Sequence, residues 1–138
     1  KYIIWLFFVI IVWLQFISNV VLVWKWRWYV EIATTPKQHE IGLMNRKEMN
    51  KNRWMIFIFD QPRPVNFWMK NTYIPLDMIF LNESGIVEKI HYWAKPEDTT
   101  LIPGSINTKY VLEVLSWQAV EWEIHTWDTM KLQYWFTF

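Results

Sequence analysis

Short apolar runs closed by turn-forming residues limit this chain more than any other feature. Residues 54–59 are continuously apolar and are followed by Asp60, Gln61, Pro62, Arg63 and Pro64. Residues 65–70 run to Asn71 and Thr72, residues 76–81 run to Asn82, Glu83, Ser84 and Gly85, and residues 86–93 run to a loop containing Pro96 and Pro103. Residues 109–115 and 130–138 are further runs. Segments this short, bounded by turn residues, read as strands rather than helices. Upstream, Lys25 and Arg27 alternate with Trp24, Trp26 and Trp28, the period of a half-buried strand, with a hairpin bend expected near residues 24–26. Those tryptophans form one apolar strand face or a membrane-interface belt.

The resulting fold class is all-β (mainly β): a small closed β barrel or jelly-roll-like sandwich around one core. Two short helices decorate it. Thr35 and Pro36 are a cap and a first helical residue, and Gly42 ends that helix after Ile41. Ser116 is expected to cap a second helix reaching about Trp122. Prolines are expected to end the 54–59 strand at Asp60.

Ahead of this body stands an apolar run over residues 2–14, preceded by Lys1 and broken by Gln15, Ser18 and Asn19. That is the layout of a secretory signal, and extension through Val23 gives a polar-spotted span. Residues 1–19 are thus expected to be a signal peptide or membrane anchor, with a buried core segment as the plain alternative, and residues 20–138 to be the β domain. Either leading reading places the domain outside the cytoplasm, exported or membrane-anchored.

Composition removes several function classes. A net charge of +1 leaves no basic footprint for nucleic acid. The absence of cysteine removes thiol catalysis, zinc thiolate sites and disulfides. His39, His91 and His125 share no metal-ligand spacing, and the serines lack a nucleophile-elbow setting, so no metal and no cofactor is expected.

One stretch is distinctive: Phe67, Trp68, Met69, Lys70, Asn71 and Thr72, then Ile74, Pro75, Leu76 and Asp77. It resembles the DUF192 family, a domain of unknown function. Val30 to Ala33 before Thr35-Pro36, Gly42-Leu43-Met44 with Arg46, and Tyr110-Val111-Leu112-Glu113 agree in order and spacing. The resemblance spans residues 20–134 and implies a compact β barrel or jelly roll, often behind a signal peptide, with no established activity. The family usually has glycine where this chain has Trp54, Trp117, Glu123 and Trp127. A left-handed position would cost such residues about 1 kcal/mol or more each, and a tight contact would cost roughly 1–3 kcal/mol.

Candidate ligand-binding residues fall in two groups. Trp68, Lys70, Asn71, Thr72 and Asp77 combine an aromatic plate with a cation, an amide, a hydroxyl and a carboxylate, a set suited to a sugar or small anion. The plain alternative makes Asn71 and Thr72 a turn, with Lys70 paired to Asp77 or Glu31. Arg46 and Glu113 are the second group, a buried ion pair or an anion site. No catalytic arrangement is evident. The leading expectation is a noncatalytic, exported or membrane-tethered binding or accessory module for a small polar ligand. The alternatives are a hydrolase-type enzyme using Asp77 or Glu113 with Lys70, and a structural envelope-associated domain with an exposed apolar patch.

Overall fold

The apolar runs fold as strands in the computed structural model, which describes residues 20–23, 26–131 and 133–134. Chain order is β1 (Val20–Val23), β2 (Trp26–Ala33), α1 (Pro36–Ile41), β3 (Arg53–Arg63), β4 (Asn66–Phe67), β5 (Leu76–Leu81), β6 (Val87–Ala94), β7 (Ile102–Pro103), β8 (Thr108–Leu115), α2 (Gln118–Glu121) and β9 (Gln133–Tyr134). The chain is mainly β with two short helices. The expected leader or anchor lies outside the described residues, as does the expected bend near residues 24–26, apart from Trp26, which pairs with Val23. Among the described residues no helix is long and apolar enough to cross a membrane.

Seven strands form one sheet in the order β6-β5-β8-β3-β2-β1-β9, and β4 and β7 form a two-stranded ribbon. The sheet is not closed, which corrects the barrel expectation. The outer strands β6 and β9 are not registered with each other; residues 127–130 meet the start of β6 through an isolated Ile86–Thr129 bridge. Among the described residues β9 pairs only with β1, at Val21 and Leu22. Nor is this a jelly roll, since the second sheet is only a ribbon.

The expected single core is instead two apolar clusters, one on each sheet face. Alternation in β3, β5 and β8 sends Trp54, Ile56, Ile79, Leu81, Leu112 and Val114 to one side. It sends Met55, Phe57, Phe59, Met78, Phe80 and Val111 to the other. Continuous apolar runs are what a sheet covered on both faces requires. The first face is covered by α2 and by Ile124 and Met130. The second is covered by Leu43, Val65, Met69, Ile74 and Ile102.

Most pairings are antiparallel, but β2 and β3 are parallel, with Glu31 beside Met55 and Ile32 beside Ile56. Parallel neighbours need a crossover, and here it carries α1 over the second face. Local signals start and stop that helix as expected. Thr35 accepts from the Gln38 amide at 3.3 Å while Gln38 Oε1 accepts from the Thr35 amide at 3.0 Å, a reciprocal cap. Gly42 then takes φ +46°, a conformation open to glycine.

Three local expectations need correction. β3 does not stop at Asp60 but runs to Arg63, because Pro62 falls where the register against β8 shifts and no ladder donor is required. The 65–70 strand shrinks to β4, since the Met69 amide turns away to the Asp98 carbonyl at 2.8 Å. Ser116 does not cap α2: the residue before the helix is Trp117, in the left-handed region at φ 77° with no side-chain cap bond.

Candidate functional site

Sheet register lines up a row of side chains on the second face. Glu31 of β2 lies opposite Met55 of β3, Met55 opposite Glu113 of β8, and Glu113 opposite Met78 of β5. Neighbouring strands stand about 4.8 Å apart, so the backbones of Glu31 and Glu113 flank Met55 roughly 10 Å apart. Arg46, delivered by the crossover, makes a two-pronged bond to Glu31, Nη1 to Oε1 at 2.6 Å and Nη2 to Oε2 at 2.5 Å. The expected Arg46–Glu113 pair is therefore replaced by Arg46–Glu31. Glu31 retains partial exposure, so its ionised form is less costly there than at Glu113. The Arg46 bond holds the Glu31 carboxyl below its ordinary range, against the opposing effect of burial.

Glu113 is left with one residue of charge compensation at a distance. It is 4% exposed. Among the described residues no donor bonds its carboxyl, and the positive field of Arg46 only partly offsets burial. Burial pushes its pKa up to about 8, so it is a protonated acid near neutral pH.

A narrow cavity of about 30 Å³ lies over this acid, walled by Gly42, Phe57, Phe67, Trp68, Thr72 and Glu113. That volume suits one or two atoms of water size. The Gly42 backbone forms part of the roof: a Cβ there would stand 3.1 Å from Phe57 Cζ and 3.9 Å from Glu113 Oε2. His39, Glu40, Phe67 and Trp68 also border an outer groove of about 340 Å³ that continues over Phe59 and Arg63. A volume of that size reaches the range of small-molecule sites. Its aromatic wall is ordered by stacking. His39 lies 4.7 Å from the Phe59 ring, its Nε2 is 3.0 Å from the Ala33 carbonyl, and Arg63 sits 4.9 Å over Phe59.

The structure thus brings Trp68, Thr72 and Glu113 together, with Arg46 adjacent. Lys70 pairs with neither Asp77 nor Glu31; its ammonium rests 5.2 Å over the Trp68 ring. Asn71 and Thr72 do build the expected turn. Asn71 takes φ 53°, its carbonyl accepts from the Asn45 amide at 2.7 Å, and the Thr72 hydroxyl donates to the Lys70 carbonyl at 3.2 Å.

Asp77 is elsewhere. Its position in β5 shares the face of Ile79 and Leu81, opposite to Glu113. Fully buried, it accepts from the Trp93 amide at 2.9 Å and the Ala119 amide at 3.2 Å. Burial raises its pKa, and these backbone donors partly offset the rise. It thereby caps α2 in the place of Ser116. Among the described residues no cluster of three or more histidines or carboxylates could hold a metal ion.

Sequence reasoning missed His39, Gly42, Phe57, Phe59 and Arg63 as wall residues. The signal available was the helix stop at Gly42, but nothing local says that this turn lies over Glu113.

The comparisons agree with this architecture. The DUF192 family, described as an "Uncharacterized ACR", matches residues 23–132. A crystal structure from Sinorhizobium meliloti 1021, provisionally assigned as a transcription regulator, superposes with a TM-score of 0.76 at 34% identity, covering 82% of this chain and 90% of that one. A protein of unknown function from Novosphingobium aromaticivorans DSM 12444 gives a TM-score of 0.75 at 34% identity, covering 81% of each chain. No curated protein matches. Sequence and fold together place the chain in one group: it belongs to the DUF192 family.

Proposed function

We propose that this domain is a noncatalytic binding module for a small polar ligand, held in the cleft between α1 and the second sheet face. The observation that carries this reading is Glu113: a buried carboxyl with no hydrogen-bond partner among the described residues, facing a cavity that meets an aromatic-walled groove. Its carboxyl borders the cavity without an internal partner, so a ligand atom placed there gains a bond without breaking one inside the protein. Trp68, Thr72 and Glu113 contact the ligand, Arg46 sets the local field, and Phe59 and Phe67 receive an apolar surface. Lys70 steadies Trp68. Asn71 shapes the turn, and Asp77 is a scaffold residue. The +1 net charge gives no support to direct nucleic-acid contact.

The module acts outside the cytoplasm, exported or tethered, a reading supported by Lys1 and the apolar residues 2–14.

A thermal-shift screen of sugars, small anions and small amines tests the binding role. A ligand at about 100 times its Kd adds roughly 2.7 kcal/mol to stability, and Trp68→Ala is expected to reduce that gain. If no class stabilises the parent protein more than Trp68→Ala, the binding role is wrong.

A second reading, a hydrolase-type enzyme, is favoured by one observation: an acid still protonated near neutral pH is poised to donate a proton. It would use Glu113 rather than Asp77, and without Lys70, whose ammonium lies over Trp68.

A further inference from the structure

Resting on that binding role, we propose that the inner cavity receives the primary ammonium group of a small amine, with the apolar stem running outward over Phe67 and Trp68 into the groove.

Charge selects the ligand class. The residues walling the inner cavity include two acids, Glu40 and Glu113, and one histidine, His39, but no lysine or arginine. The cation nearest to Glu113 is Arg46, and its guanidinium is engaged at both prongs by Glu31. The Glu31–Arg46–Glu113 row therefore carries one carboxyl in excess. An anion would find one proton to accept, that of the neutral Glu113 acid, and no lysine or arginine in the wall to pair with its charge. An ammonium would meet a carboxylate on one side and aromatic faces on others.

Shape agrees with charge. Phe57, Phe67 and Trp68 wall the same space, and aromatic rings attract a cation through their negative faces. Phe57 and Phe67 stand edge to face at 5.0 Å and 88°, so the two rings present different surfaces to the cavity. A volume of about 30 Å³ excludes a sugar ring but admits a headgroup of water size. The outer groove of about 340 Å³ accommodates the stem.

Binding changes the state of Glu113. In the empty site burial favours the neutral acid. An ammonium beside it favours the carboxylate, so the acid proton leaves to solvent as the ion pair forms. One proton is released for each ammonium bound, and no bond other than that O–H is broken.

The test is titration calorimetry of the full chain at about pH 7 with n-butylammonium, n-butanol and butyrate, in two buffers of different ionisation enthalpy. The expected result is binding of n-butylammonium with release of nearly one proton, and no matching response to the other two. Glu113→Gln, a near-isosteric neutral replacement, should weaken amine binding at least tenfold and abolish proton release. Trp68→Ala, at an exposed rim position, should weaken it severalfold without threatening the core. Butanol or butyrate binding that depends on Trp68 and Glu113 would overturn the amine assignment while leaving the binding role intact. If no probe responds to either substitution, and the broader screen is equally silent, both fall.

Discussion

At the residue scale, the four positions where the family resemblance implies glycine separate into two physical kinds. Trp117, Glu123 and Trp127 take φ of 77°, 52° and 76°, where a side chain is strained. Trp54 does not. It is 1% exposed in β3, and its ring lies 4.9 Å from that of Trp122. The resemblance implies glycine at all four positions without distinguishing backbone freedom from space. Trp127 is 77% exposed, so its side chain returns little burial for the strain. Trp127→Gly is expected to raise stability by about 0.5–1 kcal/mol, strain relief less the flexibility added to the unfolded chain. Trp54→Ala should instead cost about 3–5 kcal/mol by opening a core cavity. Urea denaturation of both variants checks the opposite signs.

At the element scale, what could be read from sequence was whatever is decided locally. α1 was legible because Thr35, Pro36, Gln38 and Gly42 all sit within its own turns. The β5–β6 hairpin was legible because Asn82 and Gly85 mark its bend, with Asn82 Oδ1 accepting from the Ser84 and Ile86 amides at 3.0 Å each. The existence of α2 was legible but its cap was not, because that cap comes from Asp77, on a strand remote in the chain. The turn at Asn71 was readable, whereas the partner of Lys70 depended on which face each strand presents. Asp77 joins β5, β6 and α2 through backbone bonds. Asp77→Asn replaces one acceptor oxygen by a donor group and is expected to cost about 1–3 kcal/mol. Hydrogen exchange at the Trp93 and Ala119 amides should rise in this variant before exchange in the central strands does.

At the scale of the whole molecule, closure and titration are the properties that sequence could not fix. Whether two edges join depends on strand length and on where residues 127–130 dock, and Ile86–Thr129 is a single bridge. Which carboxylate takes Arg46 depends on burial across the sheet. The consequence appears in stability against pH. Glu113 titrates at about 8 when folded, above its ordinary 4.5, so the folded state binds its proton more tightly than the unfolded chain does. Its contribution is complete below the unfolded value of 4.5 and is lost as pH rises through about 8. The loss is on the order of a few kcal/mol. Asp77, also raised, acts in the same direction, while Glu31, lowered by Arg46, acts oppositely on the acid side. Denaturation midpoints should fall as the pH rises from 4.5 to about 8, and Glu113→Gln should flatten most of that slope.

The parallel β2–β3 pair has a consequence for how such domains diversify. Because those strands run the same way, the peptide between them must arch back across the sheet, and that arch carries Gly42, Leu43 and Arg46. Lengthening or recolouring the arch would alter what fits beneath it while the hydrogen-bonded ladder stayed as it is. Scaffold and selectivity are thereby assigned to separate stretches of the same polypeptide, free to vary at different rates.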